Sequence, residues 1–243
     1  MPEQLPLPFT FNPELGFEQF HAGVNAEQVR HLQRTATGAG ESLIFLWGEP
    51  GSGKTHLLNA CCRTACQLQR TVSYLPLGVV RDYGPEMLEG LEHMDLVCLD
   101  DLEQVAGDAA WEEALFELFN RLRDLGRDLI ATASAPPARS PIRLPDLKTR
   151  FGWGLTLRLQ ALRDEDKLAV LALYARSLGL DLPPQVGRFL LTHHRRDPQT
   201  LRALLERLDQ ASLAAQHKLT IPFVKRFLGI DPPPASRASS NRP

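Results

Sequence analysis

The chain has almost no net charge: 27 Lys and Arg stand against 29 Asp and Glu, a formal −2 over 243 residues. That excludes an overall basic field that would draw it onto nucleic acid. No apolar run reaches membrane-spanning length, and the first residues lack the basic-then-apolar order of a secretory leader. No membrane role is therefore expected, and a cytoplasmic location is. The four cysteines lack both C-x-x-C spacing and histidines in ligand spacing, which argues against a metal site. Cys61, Cys62 and Cys66 fall on one predicted helix and Cys98 in an apolar run, so they are expected as buried thiols acting as small hydrophobes. The 43% hydrophobic content fits a globular protein of one large or two small domains.

What is present is Gly48-Glu49-Pro50-Gly51-Ser52-Gly53-Lys54-Thr55, a match to G-x-x-x-x-G-K-[ST]. Leu43 to Trp47 reads as a buried strand before it, and His56 to Ala60 opens a helix after it. That strand-loop-helix context is the one a phosphate-binding loop requires. The glycines let backbone N–H groups curl around a polyphosphate. Lys54 is expected at the β- and γ-phosphates, Thr55 at Mg²⁺, and the helix N-terminus adds its positive dipole end. The nucleotide contacts expected are Gly48, Pro50, Gly51, Ser52, Gly53, Lys54, Thr55 and His56, with ADP or ATP and Mg²⁺ as cofactors.

Residues 1–16, rich in Pro, Phe and Leu without a helical period, read as an extended arm. Ala26 to Thr35 reads as a helix, as do Lys54 to about Gln69 and Ala110 to Leu125. Thr71–Leu75, Leu96–Leu99 and Asp128–Ala133 read as further strands. Strands alternating with helices imply a parallel sheet with helices on both faces, an α/β core over residues 17–160. After about Gln160 only helices are expected: Asp164–Leu178, Gln185–His193, Pro198–Gln216 and Pro222–Leu228. They make an all-helical domain over 161–230, and 231–243 is expected to be disordered.

Mg²⁺ at a phosphate loop needs a carboxylate from a neighbouring strand. Leu96-Val97-Cys98-Leu99-Asp100-Asp101 offers four apolar residues and then two acids, roughly 45 residues after the loop. Asp100 is expected to hold the metal directly or through water, and Asp101 to polarise an attacking water. The competing reading is an ordinary strand ending in a solvated acidic turn. Thr132, at the end of the next strand, either contacts the γ-phosphate or the water, or caps the strand. In Asp146-Leu147-Lys148-Thr149-Arg150-Phe151-Gly152-Trp153-Gly154, Arg150 stands between a helical turn and a glycine-aromatic turn. It can project outwards to a transferring phosphoryl group on a neighbour, or be a surface Arg in a salt bridge.

Together these residues resemble the AAA+ ATPases, specifically the replication-initiator DnaA group. Gly53 to Ala60 is similar to that group's phosphate loop and helix, and Leu99-Asp100-Asp101 to its acidic strand. Leu147 to Leu155 is similar to its arginine-finger segment. The resemblance implies a three-layer P-loop core with a parallel sheet and a small helical lid. It extends to the group's regulatory paralogues, both through Gln216 to Lys225 and through Gln4-Leu5-Pro6-Leu7-Pro8-Phe9. The latter is similar to a peptide that docks on the DNA polymerase sliding clamp, the beta clamp, with Gln4, Leu5, Leu7 and Phe9 as contacts. A proline-stiffened arm enters an apolar pocket at little ordering cost; the alternative is an arm packed on its own core.

The resemblance implies a regulator that binds DNA-loaded clamp and promotes hydrolysis of DnaA-bound ATP, with Arg150 catalytic in that step and Asp101 in the chain's own. DNA is then reached indirectly, through the clamp. Because only a short tail follows Leu228, specific origin binding is not expected. Gln199 stands where the family's lid places a phosphate-contacting Arg. The other reading is an autonomous P-loop ATPase of helicase-loader type, and homo-oligomerisation stays open.

Overall fold

The computed structural model describes residues 11–161, 164–193, 198–215 and 217–230. The arm motif Gln4 to Phe9 and the tail 231–243 lie outside them. The structure divides into two compact units, Met1–Leu162 and Arg163–Pro243.

The first unit is a five-stranded parallel sheet in the order β2-β3-β4-β1-β5. The strands are β1 Leu43–Trp47, β2 Val72–Pro76, β3 Leu96–Asp100, β4 Asp128–Ala133 and β5 Leu155–Arg158. Its helices are α1 Ala26–Ala36, α2 Lys54–Gln67, the single turn α3 Leu77–Val80, α4 Ala109–Asp124 and α5 Pro145–Phe151. Alternation along the central strands sorts the core into two layers, because successive strand residues face opposite sides. Ile44, Leu46, Leu96, Cys98 and Ile130 meet Leu32 of α1 and Leu57, Leu58 and Cys61 of α2. Phe45, Val97, Leu99, Leu129 and Ala131 meet Trp111, Leu115 and Phe119 of α4 and Phe151 of α5. Strands buried on both faces explain the continuous apolar runs of β1 and β3. The fold is thus a three-layer α/β core of AAA+ type.

The strand β5 was not expected. It is four residues long, pairs only with β1, and only Leu157 is buried in it. It begins at Leu155, the last residue of the segment read as a finger motif, and its short alternation runs on beyond that segment. One thiol also departs from expectation: Cys61, Cys62 and Cys98 are buried, but Cys66 is exposed on the outer side of the last turn of α2.

The second unit holds α6 Asp164–Ser177, α7 Pro184–His193, α8 Pro198–Ala215 and α9 Ile221–Phe227. Leu171, Leu190, Leu205, Leu208 and Val224 form its own core. Thr220 caps α9 by accepting a hydrogen bond from Phe223 N–H. Among the described residues no helix is long and apolar enough to cross a membrane.

Candidate nucleotide site and arginine surface

Three neighbouring strands end together. Gly48 N–H leaves β1 by donating to Ala133 O of β4 at 3.1 Å. The loop then rises through Glu49, Pro50 and Gly51, all exposed, and turns into α2 at Gly53, whose φ of 100° favours glycine. A side chain at Gly53 would also meet the Phe20 ring at 2.6 Å, and one at Gly48 would meet Leu159 O at 2.5 Å. Both glycines are therefore fixed by close approach. The first α2-type hydrogen bond is Leu57 N–H to Gly53 O, at 3.0 Å. The amides of Lys54, Thr55 and His56 precede it at the helix start.

Lys54 is buried, and its Nζ donates to Gly48 O at 2.9 Å and Glu49 O at 3.3 Å. The ammonium is folded back on the carbonyls of its own loop. Ser52 is 2% exposed and its Oγ has no protein partner. A buried orphan hydroxyl, a buried ammonium and a glycine-lined turn fit a polyphosphate. The Thr55 side chain is exposed beside them.

On β3, Asp100 is 3% exposed. One carboxylate oxygen accepts the Thr132 hydroxyl at 2.6 Å and the other the Tyr74 hydroxyl at 3.0 Å. Thr132 Oγ1 in turn accepts Asp101 N–H at 2.9 Å. Thr132 is wholly buried, so its hydroxyl ties the two acids to β4. Burial and the Asp100 carboxylate push the Tyr74 hydroxyl well above its usual range. Asp101 is a non-glycine residue with φ 59° and ψ 62°, a conformation held only when its surroundings impose it. Partial burial, then the neighbouring Asp100 and Glu103, push its carboxyl up to about 6, while Lys54 opposes the shift. The arrangement can hold a phosphate chain beside a carboxylate pair, one member fully hydrogen-bonded and one reluctant to ionise.

Residues just after the arm motif are laced onto α2. Asn12 N–H donates to Asn59 Oδ1, His56 Nε2 lies 2.9 Å from Gly16 O, and Glu18 pairs with Arg63. The Phe20 ring lies 5.4 Å from the His56 ring. His56, Asn59 and Arg63 share one helix face by their spacing.

Arg150 is not part of this cluster. It lies in the last turn of α5, ahead of β5, whereas the phosphate loop follows β1. Gly154 abuts Leu43, the first residue of β1, where a side chain would meet Leu43 O at 2.5 Å. A five-residue strand puts about 15 Å between that point and the loop. The Arg150 guanidinium lies over the Trp153 ring at 4.0 Å and the Phe116 ring at 5.5 Å. The salt-bridged alternative is not seen: among the described residues no carboxylate pairs with Arg150.

Sequence reasoning missed Tyr74, the Phe20 seat and Glu112. Glu112 is 2% exposed, and its carboxylate accepts N–H groups of Gly107 at 2.6 Å, Arg143 at 2.9 Å and Leu144 at 2.6 Å. It fastens the start of α5 to α4. The available signal was an acid on the apolar face of α4, one turn ahead of Phe116. The Gln199 side chain lies outside the described residues.

Residues 11–158 match the family model described as the bacterial DnaA ATPase domain, and 164–228 match the one described as Hda, lid domain. Among solved structures, domain III of the replication initiation protein DnaA from Thermotoga maritima is 20% identical, with a TM-score of 0.75. The match covers 91% of this chain and 98% of that one. AMPPCP-bound DnaA from Aquifex aeolicus is 19% identical at a TM-score of 0.72, covering 91% of this chain and 71% of that one. The Holliday junction branch migration motor RuvB of Thermotoga maritima is 17% identical at 0.65, covering 89% and 70%. At these identities the likeness is one of fold.

Proposed function

The chain belongs to the bacterial DnaA ATPase family, with a lid of the Hda type, and from that premise we propose that it regulates the initiator rather than acting as one. In this reading it binds ADP or ATP at its own loop, docks on DNA-loaded sliding clamp through Gln4, Leu5, Leu7 and Phe9, and presents Arg150 to the ATP held by DnaA. Hydrolysis of that ATP leaves the initiator inactive and prevents re-initiation.

The observation that carries the reading is the separation of Arg150 from the chain's own phosphate loop. A guanidinium at the opposite end of the sheet, with no acid partner among the described residues, serves a nucleotide on another molecule better than its own. Charge on a transferring phosphoryl group is spread over equatorial oxygens, and a planar cation with five donors matches it. AMPPCP in the Aquifex aeolicus DnaA structure supports nucleotide binding by the same fold.

The chain's own nucleotide would be held by the amides from Gly51 to Thr55, by Ser52 and by Lys54, whose ammonium would trade loop carbonyls for phosphate oxygens. Thr55 and Asp100 are the residues for Mg²⁺, which would supply charge neutralisation when bound. Tyr74 and Thr132 orient the Asp100 carboxylate.

The test is single-turnover hydrolysis of ATP pre-bound to DnaA, with clamp loaded on DNA, comparing wild type with the Gln4→Ala/Leu7→Ala double variant. Clamp-dependent acceleration by wild type and its loss in the double variant are expected. No acceleration, with nucleotide binding intact, would sink the reading. The second reading is an autonomous ATPase of helicase-loader type, for which Lys54, Asp100 and Asp101 supply the residues. Robust turnover by the isolated protein would select it.

A further inference from the structure

The geometry points to Trp153 as the positioning residue of Arg150: its indole face holds the guanidinium, whose N–H groups have no acid partner among the described residues. This rests on the finger reading above.

An arginine that must meet phosphoryl oxygens on another molecule has two ways to wait. It can pair with a carboxylate, which takes two donors in a fork and cancels the charge. It can also lie on an aromatic face, which contacts the π plane and leaves the donors at the rim. The sequence offers the first way. Asp146 precedes Arg150 by one helical turn, in the acid-before-base order that favours pairing. The structure takes the second: Asp146 forms no ion pair with Arg150, and Cζ sits 4.0 Å from the Trp153 centroid.

Trp153 is itself held. Its backbone N–H donates to Arg150 O at 3.0 Å, closing the turn, and Gly154 seats the turn against Leu43. The Phe119 ring stands at 75° to the indole with centroids 6.4 Å apart, and the guanidinium also lies 5.5 Å from the Phe116 centroid. Arg123 also lies over this ring, at 5.7 Å, and pairs with Asp124. The ring stays 57% exposed. An indole that mainly filled the core would be covered; this one is a platform at the surface.

The experiment uses the full chain with Trp153→Phe, Trp153→Leu and Trp153→Ala, checked for fold by thermal melting and nucleotide binding. Phe keeps the π face, Leu keeps apolar bulk without it, and Ala keeps neither. Phe is expected within about 3-fold of wild type in the maximal rate of partner ATP hydrolysis. Leu and Ala are expected to lower that rate roughly 5- to 30-fold, with half-saturation shifted less than about 3-fold, because orientation and not docking is lost. By NMR, the Arg150 side-chain protons should carry an indole ring-current shift in wild type that disappears in the Leu variant.

If Leu matches Phe while wild type accelerates hydrolysis, Trp153 has no positioning role. Absence of the ring-current shift would overturn the stacking itself. If the shift is present but wild type does not accelerate hydrolysis, the finger reading fails and takes the role of Trp153 with it.

Discussion

The two ends of the parallel sheet each carry a cation, and the cations are kept in opposite ways. At the loop end, Lys54 is buried and its donors are spent on Gly48 and Glu49 carbonyls. At the finger end, Arg150 is half-buried, lies on aromatic rings and donates to no acid among the described residues. A carbonyl is easily replaced by a phosphate oxygen, so the first arrangement suits a ligand that enters the protein. The second leaves the donors without an acid partner among the described residues, which would suit a ligand that the protein approaches.

The contrast breaks most visibly if the two cations are removed separately. Arg150→Ala is expected to cost at least about 100-fold in acceleration of partner ATP hydrolysis while leaving nucleotide affinity within about 2-fold. Lys54→Ala is expected to weaken the chain's own nucleotide by roughly 10- to 100-fold in a fluorescent-ADP titration, since a charged hydrogen bond is lost from a buried site. Equal effects of both variants on both measurements would erase the distinction between the ends.

A smaller effect is expected from Glu112, which belongs to the finger end only. Glu112→Ala strands three N–H groups, that of Gly107 ahead of α4 and those of Arg143 and Leu144 at the start of α5. It should lower stability by about 3 kcal/mol and the melting temperature by roughly 6–12 °C. Ligand affinity of the folded fraction should stay unchanged. A melting temperature within a degree of wild type would show that α5 is fixed by its apolar contacts alone.

The smallest effect sharpens the loop end. The Asp101 carboxyl is raised to about 6, so in the nucleotide-free protein its ionisation opposes folding at neutral pH. That cost is complete above about pH 6 and fades as pH falls through that value towards the ordinary carboxylate range. Asp101→Asn should therefore stabilise the apo protein by about 1–2 kcal/mol at pH 7.5, after allowance for solvent screening, and by little near pH 4. Denaturant unfolding at the two pH values measures this; a gain of the same size at both would point to backbone relaxation at the left-handed position instead.

Much of this was legible in the residues because the signals were local. The phosphate loop is one continuous octet, and β1 and β3 are apolar runs punctuated by Gly48 and Asp100. Three of the lid helices, α7, α8 and α9, carry a proline at their starts. What escaped depends on contacts between distant segments. Tyr74 matters because parallel pairing sets β2 beside β3, and nothing in Ser73-Tyr74-Leu75 says so. Glu112 looks like any acid on a helix until the loop at Arg143 folds over it. The edge strand β5 escaped because a single buried Leu157 between exposed Thr156 and Arg158 is too short a pattern to outweigh the motif before it.

The lacing of Asn12 to Asn59 has a mechanical consequence. It fixes Asn12 on the phosphate-loop helix. Covalent geometry limits eight residues to about 28 Å. Whatever Gln4 grips must therefore lie within that radius of Asn12, and a larger body so gripped is leashed to the side of the molecule that carries α2. Reach, rather than affinity, then decides which faces of this protein such a partner can shadow and which it leaves open.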